Sequence, residues 1–428
     1  MLRFAPSPTK DMDIGDLRVA ILNHILSKQL NKELLIRIDD SDKSKNIEGK
    51  EKEILEILNL FSIEQSRVVS QSENIKYHTQ MAMKLLLDKK AFNCFCSKEA
   101  IEQDKEKAKQ DGKPYSYSGF CKTISDETKF NCNAPFVVRI DKPKQNIKFT
   151  DLIKGDLEYK PSQVDSFTIL KTDKSPTDNF TCAVDDMLFD ISTIIRGDNH
   201  LLNTAKQIHT RDSLGYTKEI EYIHIPLIQN QNRDNNKLVS VNSLIDQGYL
   251  PAAIANYLLS LGYETPKEIF TLEEAKEWFD IKKLSKQSPK FDISKLNSIN
   301  KEHLKLIDEL RLSKIISYAD KDIGTLAKIY LQECNTTKEI KAKIDDIFAP
   351  KHTNDSFKDD LDKVKECIKD APFMEKFDNL KEYVQKKTNL KEEELSIALR
   401  FALTAQTAGP NLGDIYPLIK NYLGEIVK

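Results

Sequence analysis

Residues 3–9 of the chain read Arg3-Phe4-Ala5-Pro6-Ser7-Pro8-Thr9, and residues 12–18 read Met12-Asp13-Ile14-Gly15-Asp16-Leu17-Arg18. The first stretch predicts a short strand and a stiff loop, because proline restricts its own backbone and that of the preceding residue. The second predicts the start of an amphipathic helix, where Gly15 lets a ligand approach the backbone. A helix N-terminus favours an anion, so these elements predict a corner that faces phosphate. An ordinary β-turn-α connection is the alternative.

The composition is typical of a soluble globular protein with several domains. The chain has 428 residues, of which 31% are charged and 39% apolar. No apolar run is long enough to span a membrane, and no basic segment precedes an apolar stretch near residue 1. We therefore expect a cytoplasmic protein without a membrane partner. The net charge of −2 gives no overall attraction to nucleic acid, so RNA would have to bind local patches.

Strand and helix patterns alternate over residues 1–70 and again over residues 166–240. Residues 34–38 and 193–197 are predicted strands, and residues 180–188 are a predicted helix. Such alternation predicts a parallel, doubly wound sheet. Residues 71–165 differ, because a lysine-rich helical stretch is followed by further strands, and we interpret them as an insertion. Residues 241–428 are helical in period, most clearly at 253–259 and 395–403.

Three of the seven cysteines are clustered in the sequence. Cys94 and Cys96 are separated by one residue, and Cys121 follows Tyr117 on a returning segment. Clustered cysteines in a cytosolic chain favour a metal over disulfides, and this set can hold tetrahedral zinc. Three buried thiols without a metal are the alternative.

The motif at residues 3–18 resembles the class I signature of bacterial glutamyl-tRNA synthetases, in which Arg-Phe-Ala-Pro-Ser-Pro-Thr precedes His-Ile-Gly. Asp13 stands where that family has the histidine that helps bind the ATP phosphates. A carboxylate at this position would repel phosphate. The resemblance continues to residues 403–412, in the region that binds the anticodon in the family. The short relatives that modify a tRNA base lack this region and are disfavoured.

The resemblance implies a fold class and a division into domains. The fold is an α/β Rossmann-like catalytic domain with an inserted acceptor-binding domain, followed by an all-α C-terminal anticodon-binding region. The implied boundaries are 1–70 and 166–240 for the split catalytic domain, 71–165 for the insertion, 241–305 for a helical stem-contact region, and 306–428 for the anticodon-binding domain.

Six residues are implied to bind glutamate, namely Arg3, Ser7, Asp39, Asp178, Cys182 and Arg196. An arginine suits the side-chain carboxylate of the substrate, because its guanidinium can bind both oxygens at once. Three of the six differ from the family pattern. Asp39 is one methylene shorter than the usual glutamate, Asp178 replaces a tyrosine, and Cys182 replaces an amide side chain.

The same resemblance implies an ATP site that consists of Pro6, Ser7, Pro8, Thr9, Asp13, Ile14, Gly15, Asp16, Lys237 and Leu238. Asp13, Gly15, Asp16 and Lys237 are the implied catalytic positions. In the family, a mobile second signature of the form Lys-(Met/Leu)-Ser-Lys follows the last strand, and its second lysine stabilises developing phosphate charge. Lys237-Leu238 fits its beginning, whereas Val239 fits sequence beyond its end.

Several residues of the second signature are therefore missing. They are deleted in the protein, which would impair activation, or a mobile loop is left out of the sequence between Leu238 and Val239. We favour the second explanation. Lys283-Leu284-Ser285-Lys286 also spells the signature, but it lies well past the last predicted strand, and we interpret the match as a coincidence.

The implied function is that of a glutamate–tRNA ligase that uses ATP and Mg²⁺. L-glutamate would become glutamyl adenylate and then pass to the 3′ end of tRNA-Glu, tRNA-Gln or both. The cysteine spacing resembles the zinc-binding insertion of some family members, which implies a structural Zn²⁺ held by Cys94, Cys96, Tyr117 and Cys121. A monomer is expected. The alternative is a tRNA-binding paralogue that is impaired in amino-acid activation, which Asp13, Asp178 and the short second signature favour.

Overall fold

The computed structural model describes residues 1–112, 115–125, 127–128, 131–230, 238–352 and 357–428. The chain divides into two compact units. The first contains residues 1–241, 258–266 and 270–291, and the second contains residues 242–257, 267–269 and 292–428. Among the described residues, none of the helices combines the length and the apolar character that crossing a bilayer requires.

Ten strands form two sheets in the described part of the first unit. The strands are β1 Leu2–Phe4, β2 Leu34–Ile38, β3 Arg67–Ser70, β4 Ala91–Cys94, β5 Val137–Ile140, β6 Ile147–Asp151, β7 Gly155–Tyr159, β8 Thr168–Leu170, β9 Thr193–Gly197 and β10 Glu221–Ile225. The large sheet has the order β3-β2-β1-β9-β10-β6-β7, and the small sheet has the order β4-β5-β8. The large sheet is parallel except for the β6–β7 hairpin, and the small sheet is antiparallel.

Helices alternate with these strands and then occupy the rest of the chain. The helices up to the last strand are α1 Ile14–Gln29, α2 Lys50–Leu60, α3 Ile75–Leu87, α4 Lys98–Gln110, α5 Phe120–Thr123, α6 Pro161–Val164, α7 Asp178–Leu188 and α8 Leu201–Leu214. The later helices are α9 Val241–Asp246, α10 Pro251–Ser260, α11 Leu272–Trp278, α12 Ile293–Leu306, α13 Glu309–Ile315, α14 Lys321–Tyr330, α15 Thr337–Phe348, α16 Lys358–Lys369, α17 Phe377–Thr388, α18 Glu392–Thr404, α19 Leu412–Ile419 and α20 Leu423–Ile426.

The centre of the large sheet consists of strands that are buried on both faces. Every residue of β1, β2 and β9 is buried, as expected for a parallel sheet covered by helices. Leu2 of β1 is in register with Leu34 of β2 on one side and with Thr193 of β9 on the other. The Rossmann-like α/β fold is therefore confirmed. Because β2 and β9 lie on opposite sides of β1, the strand order reverses there, and a cleft opens at the carboxyl ends of β1 and β9.

Strand pairing in both sheets crosses the predicted boundaries of the insertion, which stay a prediction. β6 and β7 lie within predicted insertion 71–165, yet β6 pairs with β10 and extends the large sheet. β8 lies beyond residue 165, yet it pairs with β5 in the small sheet. The prediction followed chain order, whereas strand pairing is set by contacts between residues that are distant in sequence.

The second unit contains a helical core. Apolar residues at helical spacing on α14, α15, α18 and α19 pack together, and among them Leu326, Ile344, Leu399 and Ile415 are at most 1% exposed. The predicted helices at 253–259 and 395–403 are present as parts of α10 and α18. The proposed division of the helical half at residue 305 stays a prediction.

Candidate active site

The loop between β1 and α1 forms a corner whose helix is capped by Asp13. One Asp13 carboxylate oxygen, Oδ1, accepts hydrogen bonds from the backbone N–H groups of Gly15 (2.9 Å) and Asp16 (3.0 Å). The Asp16 carboxylate accepts in return from the Asp13 N–H at 3.4 Å. This reciprocal arrangement is a capping box. Asp13 therefore stabilises the start of α1 with the carboxylate that was predicted to repel phosphate.

A lysine lies against both carboxylates of this capping box. Lys10 Nζ is 2.6 Å from Asp13 Oδ2 and 3.0 Å from Asp16 Oδ2. Partial burial and the adjacent Asp13 charge raise the pKa of Asp16. Burial works against the charge on Lys10, but Asp13 and Asp16 more than offset it and raise the pKa of the ammonium. The corner thus holds two carboxylates and one ammonium.

Two side chains approach the backbone of Gly15 closely at this corner. A Cβ at Gly15 would lie 3.0 Å from Asp13 Oδ1 and 3.1 Å from Leu238 Cδ1. Both distances are tighter than ordinary contacts. The space beside the Gly15 backbone is therefore filled by the chain itself.

A cavity of about 430 Å³ opens at the carboxyl ends of β1 and β9, where the strand order reverses. Arg3 of β1 and Arg196 of β9 line it, together with Asp39, which follows β2. A smaller cavity of about 220 Å³ lies along the start of α1 and is lined by Asp13, Gly15 and Leu238 among others. Ligand sites in open α/β sheets lie at this edge, so the cleft is the candidate active site.

A network of buried charged residues fixes several side chains that line the larger cavity. Arg37 of β2 has no exposed surface, and it binds both oxygens of Asp39 (2.7 and 3.3 Å) and Oδ1 of Asp186 (2.9 Å). Arg3 Nε lies 3.3 Å from the same Asp186 oxygen. Burial alone would raise the pKa of Asp186, but the guanidinium groups of Arg3 and Arg37 hold it below its usual value.

The sequence prediction did not include Arg37 among the functional residues. A signal was present, because Arg37 interrupts the otherwise apolar strand Leu34–Ile38. A charge on a buried strand needs an opposite charge close by. The sequence did not show which acidic residue that would be, since Asp186 is 149 residues away.

A series of hydrogen bonds between buried polar groups fixes the side chain of Arg196. Its Nε donates to His224 Nε2 (3.2 Å), and its Nη2 donates to the Thr204 hydroxyl. The other ring nitrogen of His224, Nδ1, lies 2.7 Å from Asp151 Oδ2, which also accepts from the His224 backbone N–H at 2.9 Å. Burial lowers the pKa of His224, although Asp151 opposes the shift. A neutral ring with its proton on Nδ1 satisfies both contacts.

Comparison with known proteins identifies the family. Residues 1–298 match the family model described as tRNA synthetases class I (E and Q), catalytic domain. Over the full length of both chains, this chain is 50% identical to glutamate–tRNA ligase 2 of Sulfurimonas denitrificans and 49% identical to glutamate–tRNA ligase 1 of Campylobacter jejuni. The chain belongs to the glutamate–tRNA ligase family. A glutamate tRNA ligase from Elizabethkingia meningosepticum, solved in complex with its amino acid, has the same fold, with a TM-score of 0.80 at 20% identity over 100% of this chain and 98% of that chain.

The cleft of this member of the glutamate–tRNA ligase family brings the predicted glutamate-binding residues together. All six line the larger cavity, namely Arg3, Ser7, Asp39, Asp178, Cys182 and Arg196. Cys182 Sγ donates to Asp39 Oδ2 at 3.4 Å, and burial raises the pKa of the thiol. Asp178 is exposed at the first turn of α7. Their individual roles stay predictions.

The residues predicted to bind ATP are divided between the two cavities. Pro6, Ser7 and Thr9 line the larger one, Gly15, Asp13 and Leu238 line the smaller one, and Asp16 lines both. Pro8 and Ile14 are buried and line neither cavity, and their predicted part in ATP binding stays a prediction. Lys237 lies outside the described residues.

The segment that should carry the second signature is short in the protein. Leu238 and Val239 are consecutive in the full sequence, so the favoured explanation of a loop left out there is wrong. Val239 instead accepts a hydrogen bond from Ile14 N (3.1 Å), and Val241 N donates to Met12 O (2.9 Å). These bonds join the segment to the start of α1.

The second match to that signature, at residues 283–286, lies in a turn after α11. Leu284 is buried, and Ser285 N donates to Gly262 O at 2.8 Å. Neither Lys283 nor Lys286 lines the two cavities described above. The interpretation of this match as a coincidence stays a prediction.

The clustered cysteines meet as predicted. The sulfur atoms of Cys94, Cys96 and Cys121 lie within 4.8 Å of one another. The Tyr117 hydroxyl is 3.3 Å from Cys94 Sγ and 3.4 Å from Cys96 Sγ. Tetrahedral zinc with bonds of about 2.3 Å needs ligand sulfurs about 3.8 Å apart, which this cluster approaches. The donor set therefore fits zinc, with the Tyr117 phenol as the nearest fourth group.

Proposed function

We propose that this chain is a glutamate–tRNA ligase that activates L-glutamate with ATP and transfers it to the 3′ end of a tRNA. The observation that carries the proposal is the common cavity at the carboxyl ends of β1 and β9. It contains two buried arginines, Arg3 and Arg196, beside the carboxylate of Asp39. This set of charges matches an amino acid with an acidic side chain.

The arginines would bind the side-chain carboxylate of glutamate. Burial and the nearby Arg3 charge lower the pKa of Arg196, yet a guanidinium remains charged at neutral pH. Asp39, which Arg37 fixes in place, carries a negative charge and would bind the α-ammonium group of glutamate. The α-carboxylate is then left to react.

Activation would be a displacement at the α-phosphorus of ATP. The glutamate α-carboxylate forms the new bond, pyrophosphate leaves, and glutamyl adenylate remains bound. The 3′-terminal ribose hydroxyl of tRNA then attacks the acyl carbon and releases AMP, its proton passing to the leaving phosphate or to water. The protein's part is to orient the reactants and stabilise phosphate charge. Mg²⁺ that accompanies ATP would neutralise part of that charge.

A glutamate-dependent exchange of pyrophosphate into ATP, measured with tRNA present, tests the proposal. We expect exchange, and charging of tRNA-Glu, tRNA-Gln or both by radiolabelled glutamate. Arg196→Ala should raise the KM for glutamate at least about tenfold, because truncation removes a charged hydrogen-bonding partner. A folded chain that binds tRNA and shows no exchange would contradict the proposal and leave the impaired paralogue.

The named relatives give no support to that impaired paralogue. The observations behind it are Asp13, whose carboxylate already occupies the helix amides, and the short segment at residues 238–239. We further propose that the enzyme acts as a monomer in the cytoplasm, where ATP and tRNA are available. Sedimentation of the full chain with and without tRNA tests the oligomeric state.

A structural zinc ion is the cofactor that we propose for the cysteine cluster. Zinc would be held by Cys94, Cys96 and Cys121 with Tyr117 as the fourth group, and it would fix β4 to α5. We expect metal analysis of the purified chain to find one zinc per chain. Cys121→Ala should abolish zinc binding, whereas Cys334→Ala, which changes a buried cysteine far from the cluster in sequence, should not. A metal-free native chain with three intact thiols would contradict the zinc site.

A further inference from the structure

The start of α1 has no amide groups left for a phosphate while Asp13 caps it. Asp13 Oδ1 accepts from the N–H groups of both Gly15 and Asp16. These groups, together with the helix dipole, are what makes a helix N-terminus attractive to anions. A phosphate group at this corner therefore needs a different partner.

Lys10 is placed to be that partner. Its side chain is 55% exposed, and it lines both the larger cavity and the smaller cavity. Within the part of the chain that the structure describes, it is the one lysine or arginine that lines both. His200 also lines both cavities, but burial and the Arg196 charge lower its pKa to about 4, so the ring is neutral at physiological pH.

The ammonium group of Lys10 can keep its present contacts and bind a phosphate as well. A lysine ammonium has three N–H donors. Asp13 Oδ2 and Asp16 Oδ2 accept two of them, at 2.6 and 3.0 Å. The third donor is available, and the exposed ion pairs are weak enough to let the side chain adjust. The two carboxylates therefore position the ammonium at the junction of the cavities.

We propose that Lys10, held by Asp13 and Asp16, is a phosphate-binding residue for ATP at this corner. The inference rests on the proposed function, because it takes ATP to be the ligand. Lys10 supplies the contact that the family pattern assigns to the histidine which Asp13 replaces. Asp13 and Asp16 are positioning residues that act through Lys10.

The test measures the Kd of MgATP for the full chain by isothermal titration calorimetry, together with the KM values in the exchange assay. Lys10→Met should weaken ATP binding about tenfold and leave the KM for glutamate within about twofold, because it removes one charged contact to phosphate. Lys10→Arg should stay within about threefold of wild type. The matched control is Lys28→Met near the end of α1, whose lysine pairs with Glu64 and lines neither cavity.

A second arm separates phosphate binding from simple neutralisation of the two carboxylates. Lys10→Met is made in a background of Asp13→Asn plus Asp16→Asn, in which no carboxylate charge is left for Lys10 to neutralise. A lysine that donates to phosphate should still matter there, with ATP binding several-fold weaker without it. Loss of the effect in this background would overturn the proposal.

The measurements also separate this inference from the proposed function. A wild-type Kd for MgATP that Lys10→Met changes by less than about twofold overturns the role of Lys10, even if exchange is normal. ATP binding that depends on Lys10 without any exchange supports Lys10 and contradicts the ligase activity. A wild-type chain that binds no MgATP overturns both.

Discussion

At the scale of single residues, the contacts of Asp13 change the effect that its negative charge was predicted to have on phosphate. Its carboxylate was predicted to repel ATP phosphates, because it replaces a histidine in the family motif. In the structure that carboxylate caps α1 and pairs with Lys10. The charge is therefore compensated locally, and the side chain contributes to the stability of the corner.

Removing the cap should destabilise the protein in proportion to the hydrogen bonds lost. Asp13→Ala should lower the free energy of unfolding by about 1 kcal/mol, whereas Asp13→Asn should stay within a few tenths, because asparagine caps helices as well as aspartate does. Thermal unfolding of the full chain measures both. Equal losses in the two variants would mean that the charge of Asp13, and not its cap, stabilises the fold.

A second residue, Asp178, places a carboxylate at the rim of the glutamate cavity. Its side chain is exposed at the first turn of α7. Asp178→Asn should lower the KM for glutamate about threefold or more, because a like charge near the substrate carboxylate is removed. Exchange kinetics at saturating ATP measure the change, with Asp173→Asn as a control outside the cavity. A higher KM would instead mean that Asp178 binds the α-ammonium group.

At the scale of secondary-structure elements, three neighbouring strands of the large sheet hold Arg196 in place. Arg196 of β9 is in register with His224 of β10, and β6 brings Asp151 to the far side of the imidazole. All three side chains are at least nine-tenths buried. The order β9-β10-β6 thus determines how the arginine faces the cavity.

A substitution of Asp151 should impair the use of glutamate although Asp151 does not contact the substrate, because it acts through His224 and Arg196. Asp151→Asn should lower kcat/KM for glutamate about tenfold and leave the KM for ATP unchanged, because the imidazole loses the charged acceptor that fixes its proton on Nδ1. The matched control is Asp156→Asn, an exposed position on the same hairpin. A variant that loses only thermal stability, with normal kinetics, would contradict the positioning role of Asp151.

At the scale of the whole molecule, burial of histidines links stability to pH. Four of the five histidines that are at most 9% exposed bear on this link, namely His24, His209, His224 and His303. Burial is the largest cause that lowers the pKa of each. The folded chain therefore keeps them neutral at a pH where the unfolded chain begins to bind protons.

The sign of the resulting pH dependence follows from the lowered pKa values. Their contribution to stability is complete above the unfolded pKa of about 6.5 and is lost as the pH falls below it. Between pH 8 and pH 6, each histidine that stays neutral in the fold should cost up to about 0.8 kcal/mol of stability. Calorimetry at the two pH values should give a lower Tm at pH 6. An unchanged or higher Tm there would contradict the prediction.

Much of the fold and of the candidate site could be predicted, because local pattern and a long signature carry that information. The alternation of strands and helices predicted a doubly wound sheet, and the six glutamate-binding candidates do line one cavity. Strand pairing could not be predicted where the partners are distant in sequence. The hairpin of β6 and β7 joined the large sheet, and β8 joined the small one, because pairing depends on tertiary contacts.

The sequence by itself determined the family, the helical second half and the clustering of Cys94, Cys96 and Cys121, since motifs and periodicity are properties of neighbouring residues. Only the tertiary structure decided that Arg37 joins Asp39 to Asp186, and that Asp151 supports Arg196 through His224. The physical reason is that a buried or partly buried charge takes its role from the opposite charge that folding brings to it. The role of Asp13, by contrast, comes from local contacts with Lys10, Gly15 and Asp16.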